Sequence, residues 1–222
     1  MTNHSILVLA NHASVSKQEL KDQIKRKAES AAHLLELIKR YNESPIRVIV
    51  INEASMTEEL REAINLSGYK VIATTRQTKG ALASAALALD LLDESDPIII
   101  IPSNAKVNFN LPNFIFEMQK GDYAAGIVTL TSQNPNMSFV RTLQNTIVEI
   151  AEKRIIGTEA TAGIFYFKNR RALVEAIGWA LINQVTTNSD FYIAPALNYF
   201  LTQRLPIGRY KIEDENYTRI GS

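Results

Sequence analysis

Apolar residues in this chain fall into short runs, separated by stretches in which they recur at helical spacing, and this alternation predicts an α/β fold. Residues 6–11 (ILVLAN) form an apolar run of strand length, as expected for a strand buried on both faces. A polar loop at 12–16 leads into a helix predicted over 17–41, in which Ala31, Leu34, Leu35 and Ile38 recur at spacings of three and four and mark one buried face. Pro45 ends it, and 46–52 (IRVIVIN) predicts a second strand. Thr57 stands as an N-cap for a helix at 58–66, with Glu58 and Glu59 in the first turn, where negative charge complements the helix dipole. Gly68 closes that helix, and 69–74 is a third strand. The Ala- and Leu-rich stretch 80–92 predicts a helix lying close against a sheet, and 97–102 (PIIIIP) predicts a fourth buried strand. Strands alternating with helices imply a parallel sheet. Ligands of such sheets bind beyond the carboxyl ends of the strands, so the segments following Asn11, Asn52, Thr74 and Ser103 are where a site is expected.

The second half has a different pattern. Residues 122–130 and 146–150 read as strands joined by a polar loop containing Pro135. Residues 162–167 (AGIFYF) read as another strand, with Gly163 at its head and Tyr166 facing opposite to Phe165 and Phe167. A helix over 170–183 places Trp179 in the core, a second helical stretch lies around 193–201, and 207–212 is the last strand. No repeat, low-complexity tract or linker divides the sequence, so residues 1–222 are expected to form a single domain.

Composition narrows the function classes. With 46% hydrophobic and 21% charged residues the chain is ordinary for a soluble globular protein. A net charge of +1 gives no general attraction for nucleic acid or an anionic membrane, so an anionic ligand needs a local cluster. The absence of cysteine excludes disulfides, thiolate metal sites and a Cys nucleophile. No apolar run is long enough to span a bilayer, and a cytoplasmic protein is expected. His4, His12 and His33 have no metal-ligand spacing. His12 follows the first strand at a ligand position, and the other two are expected at the surface. No nucleophile elbow or Ser-His-Asp pattern is found.

One ordered series of residues carries a resemblance. It runs Ser138-Phe139-Val140, Val148-Glu149-Ile150-Ala151-Glu152-Lys153 and Ala160-Thr161-Ala162-Gly163-Ile164-Phe165-Tyr166-Phe167, then Asp190-Phe191-Tyr192-Ile193-Ala194-Pro195 and Asn198. This series resembles the sugar nucleotidyltransferases, in particular the subgroup found with capsule and lipopolysaccharide biosynthesis genes. Thr78-Lys79-Gly80-Ala81 resembles that family's segment beside the nucleotide base. The resemblance implies a three-layer α/β domain with a mixed, mainly parallel sheet, like the nucleotide-diphospho-sugar transferases. It also implies a nucleotide or nucleotide sugar held by Asn11, Thr78, Gly80, Ser103 and Asn104, and a sugar phosphate held by Glu152, Lys153, Gly163 and Asp190. The side chains suit these roles: Lys153 is a point charge for a phosphate, and Glu152 can accept hydrogen bonds from sugar hydroxyls. Gly163 lets a ligand approach the backbone. Without the resemblance, Glu152 and Lys153 read more simply as exposed strand-end charges, and Gly163 as a bulge.

The chain departs from the family at its chemical positions. Members follow the first strand with G-x-G-x-R and later P-K, which wrap and neutralise a triphosphate. Here the sequence is Asn11-His12-Ala13-Ser14-Val15-Ser16-Lys17, and Lys21, Lys25, Arg26 and Lys27 read as the solvated face of a helix. The aspartate that holds magnesium after the fourth strand is replaced in Pro102-Ser103-Asn104-Ala105, and the second metal aspartate is not found in a sequence ending Ile220-Gly221-Ser222. A neutral amide lacks the charge that draws a hard cation from water, so Mg2+ is expected to bind poorly. Asp122, Glu152 and Asp190 are the residues left to substitute, and no catalytic residue is assigned. A related glycosyltransferase would need a D-x-D motif, which Ser103-Asn104-Ala105 does not supply. Two readings follow: a divergent nucleotidyltransferase of polysaccharide precursor biosynthesis, or a non-catalytic relative serving as a binding, regulatory or assembly subunit. A homo-oligomer is compatible with either.

Overall fold

The structure, a computed structural model, describes residues 3–11 and 20–220, with the side chains of 20–27 outside the description. In chain order the first elements are β1 (Ser5–Ala10), α1 (Leu20–Arg40), β2 (Ile46–Asn52), α2 (Glu58–Ser67) and β3 (Lys70–Thr74). They continue as α3 (Ala81–Leu87), β4 (Ile98–Pro102), β5 (Ala105–Val107), α4 (Leu111–Lys120), β6 (Ala125–Thr131), β7 (Ser138–Leu143), β8 (Thr146–Glu152) and β9 (Glu159–Phe167). The last are α5 (Arg170–Ile182), α6 (Ile193–Ala196), α7 (Asn198–Thr202), β10 (Ile207–Lys211) and β11 (Tyr217–Arg219). His12 and Lys17 lie outside the described residues.

The central sheet runs β10-β6-β9-β4-β1-β2-β3. β4, β1, β2 and β3 are mutually parallel, β10 is parallel to β6, and β9 is antiparallel to both β4 and β6. The apolar runs explain the layering. Alternate residues of β1 enter opposite clusters: Ile6 and Val8 pack with α1, α2 and α4, whereas Leu7 and Leu9 pack with α3, α5, α6 and α7. Tyr166 likewise lies in the first cluster and Phe165 and Phe167 in the second. This is a three-layer α/β sandwich with a mixed, mainly parallel sheet. Among the described residues no helix is long and apolar enough to cross a membrane.

The N-cap of α2 is Thr57, whose side chain accepts from the Leu60 amide, and Gly68 ends the helix at φ 68°. Elsewhere the expectations need correction. The helix expected over 80–92 is α3 followed by a short 3-10 turn, because the chain tightens at Ala88, whose N–H bonds the Ala85 carbonyl. Helix α4 was not foreseen, although Asn110 caps it and Pro112 sits in its first turn. The strand expected at 122–130 starts at Ala125, since Asp122 turns the chain at φ 50°. The polar loop of Pro135 contains β7, paired with β8 through Gln144 and Asn145 at φ 49° and 64°, the signs a two-residue hairpin requires. The stretch around 193–201 is two short helices, α6 and α7.

His33 is a further correction. It is buried, not at the surface, and its Nε2 lies 3.0 Å from the Ala105 carbonyl. Burial lowers its pKa. Arg40 donates to the Val107 carbonyl at 3.0 Å, so α1 holds β5 at both ends, and β11 pairs along β5. By this route the segment 217–219 reaches the carboxyl end of the sheet.

Candidate functional site

A cleft of about 390 Å³ opens at the carboxyl ends of β1 and β4, floored by Leu9, Ile100 and Pro102. Its first half is built from the ends of β1 and β3. Asn11 follows β1, while Gln77, Gly80 and Ala81 come from the β3–α3 connection. Thr78 does not line the cleft. Its Oγ1 accepts from Asn11 Nδ2 at 3.2 Å and lies 2.6 Å from Ser84 Oγ, so it positions Asn11. Ser103 is also absent from the lining. It is buried, and its N–H extends the β1–β4 ladder to the Leu9 carbonyl at 3.1 Å. Asn104 lines the cleft, and its carbonyl accepts from the Ile220 amide at 2.8 Å.

The second half rests on the β7–β8 hairpin. Ser138 Oγ donates to the Glu152 carboxylate. Burial raises the pKa of Glu152, outweighing the lowering by Ser138 and Lys153. Lys153 sits at φ 51°, its N–H bonded to the Met137 carbonyl at 3.0 Å. Its Nζ donates to Tyr192 OH at 2.7 Å and lies 4.7 Å from the Tyr192 ring centroid. Asn198 holds the free edge of β8: its side chain accepts from the Ile150 amide at 3.1 Å and donates to the Ile150 carbonyl at 2.8 Å. One amide thus stands in for a neighbouring strand just before Glu152 and Lys153. Gly163 lies in the middle of β9, not at its head. The register between β6 and β9 shifts there, and a Cβ at this position would meet Pro102 at 3.0 Å.

The two halves are joined by the segment after Asp190. The Phe191 amide donates to the Lys79 carbonyl at 2.9 Å and its carbonyl accepts from the Leu82 amide at 3.0 Å. Gly80 makes this possible at φ 89°, because a Cβ there would fall 2.3 Å from the Phe191 oxygen.

Asn11, Gly80, Asn104, Glu152, Lys153, Gly163 and Asp190 therefore share one cleft. Asp122 does not belong to it: this residue is exposed and paired with Lys168 at 2.6 Å beside a different depression. The sequence reading passed over Gln77, Ser138, Tyr192 and Arg219 as site residues, and Asn198 as a support. Ser138, Tyr192 and Asn198 were within the motif series, but Arg219 gave no signal, because only the β5–β11 pairing brings it to the cleft.

The charged lining among the described residues is Lys153, Arg219, Glu152 and Asp190. This set does not fit a magnesium ion. Glu152 is bonded to Ser138 and adjoins Lys153, a guanidinium shares the cleft, and Asn104 is neutral. No group of three or more His, Cys, Asp or Glu that could hold a metal occurs among the described residues. The two cations suit an anionic ligand instead.

The burial of Glu152 makes a pH dependence. A carboxyl whose pKa is raised on folding contributes stability that is full below its ordinary value near 4.5 and is lost as pH rises through the folded value. Glu152→Gln is therefore expected to melt above the wild type at pH 7, with the gap closing toward pH 4. A gap independent of pH in melting curves over that range would contradict the assignment.

No family model and no curated protein matches the sequence. Solved structures do share the fold. A nucleoside-diphosphate-sugar pyrophosphorylase from Vibrio cholerae RC9 superposes with a TM-score of 0.73 at 17% identity, over 97% of this chain and 95% of that one. An inositol-1-phosphate CTP transferase from T. maritima gives a TM-score of 0.69 at 16% identity, over 100% of this chain and 91% of that one. At such identities the likeness establishes the fold, which is nucleotide-diphospho-sugar transferase-like. Neither neighbour singles out a capsule or lipopolysaccharide subgroup.

Proposed function

We propose that this protein binds a nucleotide and a sugar phosphate side by side in the cleft, as a divergent sugar nucleotidyltransferase-like protein of polysaccharide precursor biosynthesis. The observation that carries the reading is the division of one cleft into halves of different chemistry. Among the described residues, the half around Asn11, Gln77 and Gly80 carries no formal charge and suits a base. The half around Ser138, Glu152 and Lys153 offers a hydroxyl-reading carboxylate beside a cation. β1 and β9 are two strand spacings apart across β4, about 10 Å, which leaves room for two ligands side by side. The activities named for the two structural neighbours, a nucleotide-sugar pyrophosphorylase and a CTP transferase, are consistent with this division.

Thermal melting with nucleoside triphosphates and sugar 1-phosphates, separately and together, tests the reading. Saturation at a hundredfold over Kd stabilises the native state by about 2.7 kcal/mol, which for a chain of this length is a rise of several degrees. The rise is expected to persist in EDTA, because Lys153 and Arg219 carry the charge. Failure of every member of both ligand classes to shift the midpoint would remove the proposal.

Asn104 and Arg219 favour a second reading, that the chain binds these ligands without transferring a nucleotidyl group. A pyrophosphate-release assay is then expected to stay at background with magnesium present. Robust magnesium-dependent release would overturn it.

A further inference from the structure

The cleft holds a fixed positive charge where a metal site would need negative ones. Asn104 follows β4, the strand between β1 and β9, and so stands between the two halves of the cleft. β11 brings Arg219 beside it: Arg219 is opposite Ala105 in the β5–β11 ladder, and the Ile220 amide donates to the Asn104 carbonyl at 2.8 Å. Tyr217 and Arg219, two residues apart, both line the cleft, as side chains on one face of a strand do. Arg219 is exposed, so a ligand in the cleft can reach its guanidinium.

The root of this charge is held in place. His33 and Arg40 of α1 fasten the Ala105 and Val107 carbonyls of β5, each at 3.0 Å, and the Asn108 amide donates to the Asn216 carbonyl at 2.8 Å just before β11. Lys106, between Ala105 and Val107, is outside the lining and pairs with Glu36 at 2.8 Å. A guanidinium repels a divalent cation and competes with it for the same oxygens. Its planar fork donates two parallel bonds to a phosphate and stays charged at every working pH. The other cation of the described lining, Lys153, uses one N–H on Tyr192 and keeps two for an anion. A ligand that reaches from the uncharged half to the Glu152–Lys153 half passes Asn104 and therefore Arg219. In a nucleoside diphosphate sugar, the group at that crossing is the diphosphate.

We infer that Arg219 is a phosphate-binding residue standing in for a divalent cation: its guanidinium grips the diphosphate between the two halves, and the cleft takes its ligand free of magnesium. The inference rests on the proposed reading of the cleft as a site for a nucleotide and a sugar phosphate, and adds the residue that holds the group joining them. Magnesium chelated by the ligand covers the oxygens that Arg219 would grip and brings a like charge against it, so the metal opposes binding here.

The test is isothermal titration of the full chain with nucleoside diphosphates and nucleoside diphosphate glucoses of the four common bases, in EDTA and in excess magnesium. The wild type is expected to bind its preferred ligand in EDTA, and magnesium is expected to weaken that binding or leave it unchanged. Arg219→Gln is expected to bind the same ligand roughly tenfold to a hundredfold more weakly in EDTA, while its affinity for the matching nucleoside, which has no phosphate, does not change. Arg219→Lys keeps the charge without the fork and is expected to fall between the two. Both variants are expected to melt with the wild type in the absence of ligand, because the side chain is exposed. Undiminished diphosphate binding by Arg219→Gln would overturn the inference, and so would tighter binding by the wild type in magnesium than in EDTA. Either result leaves the cleft as a nucleotide site. Binding of no nucleoside, diphosphate or nucleotide sugar in either condition would instead defeat the reading of the cleft itself, and this inference with it.

Discussion

Replacing Gly80 with alanine is expected to destabilise the protein by about 3–5 kcal/mol and to lower the melting midpoint by roughly 10 °C. Two effects combine. At φ 89° and ψ 173° the backbone is in a region that side chains with a Cβ rarely enter. The new Cβ would also fall 2.3 Å from the Phe191 oxygen and 2.8 Å from its nitrogen, and these are backbone atoms that cannot rotate aside. Making room breaks the bonds from Phe191 to Lys79 and from Leu82 to Phe191. It thereby separates the segment carrying Asp190 and Tyr192 from the β3–α3 connection. Gly178→Ala is the control, since a Cβ there meets nothing within 4 Å inside α5. That change is expected to stabilise by about 0.5–1 kcal/mol. Similar melting of the two variants would show that the contact at Gly80 has no energetic weight.

Lys153→Met is expected to weaken binding of a sugar 1-phosphate by about 1.5–3 kcal/mol, roughly tenfold to a hundredfold, while binding of the unphosphorylated sugar stays unchanged. Methionine keeps the aliphatic stem over the Tyr192 ring and removes the ammonium. The left-handed backbone at position 153 is the same burden for both side chains. Tyr192→Phe removes only the hydroxyl bonded at 2.7 Å. It leaves the cation over a ring, so a smaller loss of about 1 kcal/mol is expected. Calorimetric titration of both variants with glucose 1-phosphate and glucose reads the difference. An unchanged affinity for the phosphate in Lys153→Met would mean that Lys153 only stacks on Tyr192.

The site was legible where chemistry is written into short motifs. Glu152, Lys153, Gly163 and Asp190 stood out as an ordered series, and they share a cleft with Asn11, Gly80 and Asn104. Thr78 and Ser103, outside that series, do not line the cleft, because nothing local distinguishes a side chain that lines a cleft from one that supports a neighbour. Asp122 failed for the same reason: its place beside Lys168 depends on where β6 and β9 end.

By itself the sequence determined the parallel core. The apolar runs of β1, β2 and β4 are too continuous to face water on either side, and Thr57 and Gly68 set the limits of α2 through local bonds alone. What the tertiary structure decided are the features made by residues distant in sequence. β7 (SFVRTL) is half polar, without the continuous apolar run of β1 or β4, and becomes a strand only against β8 and β9. β5 and β11 are three residues each and exist as a pair about a hundred residues apart, with His33 buried beneath the first. Gly80 resembles a helix start in the sequence, but the backbone of Phe191 lies where its side chain would be. Hydrophobic periodicity reports which side of an element is buried and does not report what it is buried against. The cleft, with Asn11 and Arg219 both in its lining, is a product of those non-local contacts.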